Sequence, residues 1–430
     1  MTVSESRMRV LDVSQRAASW ALASALLFAV AVLPAQTLEA QTFSVIHNFT
    51  GGADGGSPFA GLTMDKAGNL YGTTAFGGSG NGTVFRLVFK NSHWVFQPLY
   101  SFAGGTDGAN PQARVIVGPD GALYGTTQYG GVGYGTVFRL SPQPTACKTA
   151  LCPWKETVIY RFAGGTDGAN PFSEVVFDQS GSLYGTTAQG GTGSCDTSYT
   201  CGVVFELTPS NGSWTESILY RFTGGSDGGA PAAGLIFDSS GNLYGTATVG
   251  GLNNQGTVFQ LTPEGSGWAE NVLHSFMGTD GYQPESSLIF DQQGNLYGTT
   301  IYGGSTYGNL PGGGVAFELM PSGGKWTETL LYSFGAQDGD GINPYDRLLM
   351  DANGNLYGTA SAGGPDGIGN IFKLTNSGGE WAAAVLHNFT DGSDGAHPFG
   401  GLIFDAKGNL YGTTDSGGTD GFGVVFEITP

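Results

Sequence analysis

The tetrapeptide Leu-Tyr-Gly-Thr occurs seven times, with its tyrosine at Tyr71, Tyr124, Tyr184, Tyr244, Tyr297, Tyr357 and Tyr411, and successive copies lie 53 to 60 residues apart. A period of this length means that the chain folds as repeated supersecondary units, stacked in a row or set in a ring. Each copy belongs to a longer unit. In the second, Val115-Ile116-Val117 is followed by a Pro119-Asp120-Gly121 turn, then Leu123 to Thr127, a Gly-rich loop from Tyr129 to Gly135, Thr136 to Leu140, and a last run from Trp154 to Phe162. These are four strand-length runs rich in β-branched and aromatic residues, bounded by turn formers. Beyond the first forty residues nothing carries helical periodicity over three turns. The unit is therefore expected to be all-β.

Seven units of four strands predict a seven-bladed β-propeller, in which radial repetition leaves only short, protected sheet edges. The ends of the repeat array point the same way. The last unit stops at its third strand, Val424 to Ile428, and a matching fourth, Phe43 to Phe49, stands at the front and aligns with Val385 to Phe389. The N-terminal strand 43–49 is thus expected to complete the last blade and close the ring. An open solenoid does not need this permutation.

Residues 1–40 differ from the rest. Arg7, Arg9 and Arg16 precede an uncharged run from Ala17 to Leu33, and small residues follow. This reads as a secretory signal with Ala40 or Ala35 as the cleavage point, or else as an uncleaved N-terminal anchor. Residues 41–430 are then the propeller, and a secreted, extracellular or periplasmic location is expected. Cys147 with Cys152 and Cys195 with Cys201 form two close pairs in loop insertions. In an exported chain they read as two local disulfides, with a four-Cys zinc site as the rival. The net charge of −19 argues against nucleic acid or an anionic membrane as partner, so membrane contact is expected only through an uncleaved N-terminal segment.

Aligning the repeats disposes of several apparent sites. His47, His274 and His387 occupy the position that Tyr100, Tyr160, Tyr220 and Tyr332 fill elsewhere, one per unit, and so read as packing residues with a polar tip and not as a metal trio. Trp94, Trp154, Trp214, Trp268, Trp326 and Trp381 share one register, with Gln41 as the seventh member, and read as blade anchors. Asp54, Asp107, Asp167, Asp227, Asp280, Asp340 and Asp394 each stand four residues before a proline. They are expected to make Asx-type turns to nearby amides, and calcium is the alternative. No cofactor is otherwise expected.

Function is expected where the symmetry breaks. At the third residue after that proline stand Gly61, Arg114, Glu174, Gly234, Ser287, Arg347 and Gly401, of which three are charged; Asp346 and Glu285 are neighbouring departures. Two arginines with carboxylates at a channel mouth suit an anionic or hydroxyl-rich ligand, because guanidinium is a planar fork of donors. Inter-blade salt bridges are the alternative. The loops between second and third strands carry Phe76, Tyr129, Tyr134, Tyr199, Tyr302 and Tyr307, rings suited to stacking on sugars or to covering the glycines beneath. No nucleophile elbow, zinc-helix motif or phosphate loop occurs, and no catalytic residue is singled out. Glu174 and Asp346, from units three and six, could in principle form a glycosidase carboxylate pair, but nothing in the sequence selects them over any other.

The whole unit, F-x-G-G-x-D-G-x-x-P, a short apolar strand, D-x-x-G-N-L-Y-G-T-T, G-G and G-T-V-F-x-L-T-P, resembles the GloVer tandem repeat of the bacterial "choice-of-anchor" GloVer-containing proteins. It is seen at Phe102 to Leu140, Phe222 to Pro263 and Phe389 to Pro430, and covers essentially all of the chain after residue 40. The resemblance implies an exported bacterial protein, often with a terminal surface-sorting segment, and implies no activity. No hydrophobic or basic sorting tail precedes Pro430, so anchoring there is not expected. A binding or surface-associated module for a polysaccharide or extracellular protein is the leading expectation. A carbohydrate-active hydrolase or lyase, and a purely structural envelope protein, are the rivals.

Overall fold

A computed structural model describes residues 41–143, 154–195, 200–305 and 312–430. Seven antiparallel sheets repeat one plan. Blade 1 shows it: a short inner strand Thr63–Met64, then Leu70–Thr74, Thr83–Lys90 and the outer strand His93–Ser101. Blade 6 adds a fifth strand, Gly341–Pro344, paired with Leu356–Gly363. In blade 7, Ile403–Phe404, Leu410–Thr414 and Val424–Thr429 are completed by Thr42–Asn48, with Phe43 opposite Ile428 and Val45 opposite Phe426. The ring is therefore closed by the N-terminal strand. The signal or anchor reading of residues 1–40 lies outside the described residues.

Leu-Tyr-Gly-Thr is the second strand of every blade, and each letter has a physical task. The leucine enters the core between sheets, as Leu70 and Leu123 do. The tyrosine hydroxyl donates to an aspartate of the preceding hairpin, 3.0 Å for Tyr71 to Asp65 and for Tyr244 to Asp238. Its ring meets the tryptophan of the next blade edge-on, with centroids 6.3 Å apart for Tyr71 and Trp154. The glycine admits the phenylalanine of the third strand: a Cβ at Gly72 would lie 2.4 Å from the Phe85 ring and 3.0 Å from Leu62. Gly72→Ala is therefore expected to cost about 1–3 kcal/mol through overpacking. A loss below about 0.5 kcal/mol in urea unfolding would refute this account of the motif.

The threonine ties blades together. Its hydroxyl donates to an inner-segment carbonyl of the next blade: Thr73 to Ala113 at 3.0 Å, Thr126 to Ser173 at 2.9 Å, and around the closure Thr413 to Ala60 at 2.9 Å. Thr299 lacks this bond and its hydroxyl is buried without a partner; its equivalent acceptor is the carbonyl of Asp346. The symmetry of the ring thus fails next to a charged residue of the channel.

The inner strands are shorter than the sequence suggests. They pair over two residues only, and the stretch from each proline to that pair runs unpaired along the channel. Its carbonyls are free to take the threonine bonds of the neighbouring blade, which is why it does not need its own ladder.

The Tyr/His and Asp registers, separate in sequence, are one structural unit. Tyr100 donates to Asp107 at 3.0 Å and Tyr220 to Asp227 at 3.1 Å, while His274 and His387 bond Asp280 and Asp394 at 3.0 and 3.1 Å. Each aspartate also accepts a nearby backbone amide, as Asp227 does from Thr223 at 2.8 Å and Asp54 from Thr50 at 3.0 Å. The amide precedes the aspartate in the chain, so these are not the Asx turns expected from sequence but loops in which the carboxylate reaches back, closed by an aromatic donor.

At four consecutive seams a glutamate of the next outer strand faces that unit: Glu156, Glu216, Glu270 and Glu328. One carboxyl oxygen of each is buried without a hydrogen bond. Burial first, then the charge of Asp107, Asp167, Asp227 or Asp280, pushes each up to about 7. The seams that flank the closing strand carry rings instead. Phe43 stacks on His387 at 3.8 Å, and His47 stacks on Phe96 at 4.1 Å.

Candidate ligand-binding site at the channel mouth

The residue before each of the seven prolines is in the left-handed region although none is glycine: Ser57, Asn110, Asn170, Ala230, Gln283, Asn343 and His397 have φ between 52° and 58°. The bend turns the chain sharply, and the residues after the proline enter the channel in a ring. Such strain is concentrated where backbone direction matters.

A cavity of about 60 Å³ opens there, with room for roughly four waters. Arg114, Glu174 and Asp346 come from blades 2, 3 and 6 and meet in it, together with Glu285 and Ser287 of blade 5. Arg114 is 4% exposed, and its Nη2 lies 3.8 Å from both Glu174 Oε1 and Asp346 Oδ2. These are ion pairs without hydrogen bonds, because Nε, Nη1 and Nη2 have no partner. Asp346 is held by backbone amides instead, from Arg347 at 2.7 Å and Gly401 at 2.6 Å. Glu174 takes the Ser287 hydroxyl at 3.4 Å, and Ser287 in turn accepts the Gly234 amide at 2.9 Å. A Cβ at Gly234 would lie 2.8 Å from the Glu174 carboxyl carbon, so a larger residue there would displace that carboxylate.

Arg347 stands outside the cavity lining but inside the same field. The positive charge of Arg114, and then burial, hold it down to about 10, with Glu174 and Asp346 opposing. Burial raises Glu285, against a hydrogen bond from Tyr345. Arg114, Glu174, Asp346 and Arg347, four of the residues expected from sequence, are thus brought into one electrostatic cluster, with Glu285 in the cavity lining beside them. The two carboxylates of the in-principle glycosidase pair share one arginine nitrogen as ion-pair partner, and each oxygen of Asp346 accepts one amide. Both are arranged to fix charge.

The walls of the cavity were not singled out from sequence. Phe59, Phe172, Tyr345 and Phe399 line it, with Gln112 beside them. Phe59 stacks on Phe399 at 4.6 Å, and Tyr345 meets both edge-on at 5.5 and 5.3 Å. The available signal was the residue directly after the proline, which is aromatic in four of the seven units.

The loop aromatics do not enter the cavity. Phe76, Tyr129, Tyr134 and Tyr302 are 36–53% exposed. Tyr134 covers Gly164 at 2.8 Å from where a Cβ would stand, and Tyr302 stacks on Tyr282 at 5.2 Å. Phe422, not singled out from sequence, lies over Gly51 in the same manner. Tyr199, Tyr307, Cys147 and Cys152 lie outside the described residues. Cys195 and Cys201 are bonded. Among the described residues no group of three or more His, Cys, Asp or Glu is arranged to hold a metal.

The sequence profile of the family described as the Gloeobacter/Verrucomicrobia repeat matches residues 33–194, 148–306 and 300–430. Comparison with curated protein sequences gave no match. Among solved structures, the extracellular domain of a "putative one component system" from B. thetaiotaomicron aligns over 90% of this chain and 40% of its own, at 12% identity and TM-score 0.51. A "putative oxidoreductase (glucose dehydrogenase)" from Thermus thermophilus aligns over 90% and 100%, at 14% identity and TM-score 0.44. A "putative 6-phosphogluconolactonase" from Bacteroides uniformis aligns over 76% and 84%, at 17% identity and TM-score 0.46. At these identities the likeness is one of fold alone.

Proposed function

The chain belongs to the Gloeobacter/Verrucomicrobia repeat family, and from that premise we propose that it is an exported binding module whose ligand, a hydroxyl-bearing group such as the end of a glycan, enters the channel mouth. The observation that carries this reading is Arg114, a buried guanidinium with no hydrogen bond, under a cavity walled by aromatic rings. Buried polar donors without partners are costly, by about 1–3 kcal/mol each. Aromatic walls with a few convergent polar groups are the usual composition of a ligand pocket. The exposed loop rings around the mouth supply further stacking surface. The Cys195–Cys201 disulfide supports an oxidising, exported location.

A screen of thermal shift with the full chain against mono- and oligosaccharides tests the reading. A bound ligand at a hundred times its Kd adds about 2.7 kcal/mol. Arg114→Lys keeps the charge but loses the fork, and is expected to weaken binding at least tenfold with the fold unchanged by circular dichroism. Full binding by the Lys variant would move the site away from the channel.

A further inference from the structure

Resting on that reading, we infer that the ligand presents a carboxylate to Arg114, so that the chemical class is a small sugar acid or hydroxy acid, including the uronate end of an acidic glycan. Four observations converge on this. Arg114 retains its full set of planar donors, since neither neighbouring carboxylate comes within hydrogen-bond distance at 3.8 Å. A carboxylate is the group that matches such a fork with two parallel bonds.

The resident carboxylates are otherwise engaged. Asp346 is held by the amides of Arg347 and Gly401, and Glu174 by Ser287.

Arg347, a half-buried guanidinium outside the lining, has its charge destabilised chiefly by Arg114. An anion held at Arg114 offsets that repulsion, whereas a neutral hydroxyl does not. Burial raises Glu285, the remaining acid of the lining, and so favours its neutral form.

Size restricts the class further. A cavity of about 60 Å³ that holds Arg114 in its lining accommodates a carboxylate head with a few waters. The carbon skeleton then lies higher, against Phe59 and Phe399. This placement suits a ligand whose acid group is terminal.

Isothermal titration of the full chain with glucuronate and galacturonate against glucose and galactose decides the matter. Each uronate is expected to bind at least tenfold more tightly than its neutral hexose, and Arg114→Lys to remove that preference. Glu174→Gln takes away one resident negative charge and is expected to tighten uronate binding several-fold, which keeps the test open should the Lys variant fail to fold. Equal or tighter binding of the neutral hexoses overturns the carboxylate inference and leaves the binding module standing. Binding of neither class by the native chain overturns both.

Discussion

A chain that begins at Phe49 is expected to lose the cooperative fold of the intact ring. Without Thr42–Asn48 the third strand of blade 7, Val424–Thr429, becomes an open edge, and unpaired edges invite association. The loss extends beyond one ladder. Phe43 stacks on His387 and packs against Phe389 and Phe426, while His47 stacks across the seam on Phe96 of blade 1. One strand therefore serves two seams. Removing one core phenylalanine costs about 3–5 kcal/mol, and whole domains are stable by only about 5–15 kcal/mol. Deleting the strand should consume most of that margin. Thermal unfolding by circular dichroism checks it, and the peptide of residues 42–48 added in trans is expected to restore part of the midpoint by strand addition. A midpoint within 2 °C of the full chain, on a scale where a domain of this size moves roughly 1–2 °C per kcal/mol, would show that blade 7 closes the ring without it.

The second large effect is on pH. Glu156, Glu216, Glu270 and Glu328 are raised in the folded state from 4.5 to about 7. Between those values the folded chain binds more protons than the unfolded one, so stability falls as pH rises. The contribution is complete below about 4.5 and gone above about 7. Each glutamate faces an aspartate: Glu156 meets Asp107 with Arg161 opposing, Glu216 meets Asp167 with Arg221 opposing, and Glu270 and Glu328 meet Asp227 and Asp280. His47, His274 and His387 act in the other direction. Burial lowers them below 6.5, against the pull of their aspartates, so their contribution is present above 6.5 and lost as pH falls. The midpoint is expected to pass through a maximum in mild acid. Discounted for partial exposure, the four glutamates together lower it by roughly 5 °C between pH 5.5 and 8. Replacing all four with glutamine should flatten that slope and leave the histidine limb. An unchanged slope would mean that the seams are solvated well enough to hold four carboxylates.

The ring, its blade count and its closure are legible in the sequence because they are properties of a repeat. Seven copies of one motif report the same environment seven times, and the displaced strand Phe43 to Phe49 marks where the ends must meet. The short inner strands were less legible. Nothing in Val115-Ile116-Val117 says that its preceding residues surrender their carbonyls to the threonines of another blade. The union of the Tyr/His and Asp registers was equally hidden, because Tyr100 and Asp107 sit in a strand and in a loop, and only the bulged strand end brings them to 3.0 Å. The functional candidates divide along the same line. Arg114, Glu174, Asp346, Glu285 and Arg347 stood out because charge departs from a small-residue register. Phe59, Phe172, Tyr345 and Phe399 did not, because an aromatic ring is the commonest residue of that register and carries no contrast.

The architecture follows from local features of the chain: period, strand pattern and turn residues, summed over seven units, leave one way to close. Which charged residues meet depends on the folded ring. Arg114 and Asp346 are separated by most of the ring in sequence, and they come within 3.8 Å because radial symmetry directs every inner segment to one axis. Where symmetry converges, the few residues that break it are forced together, and the chemistry of the channel follows from that convergence.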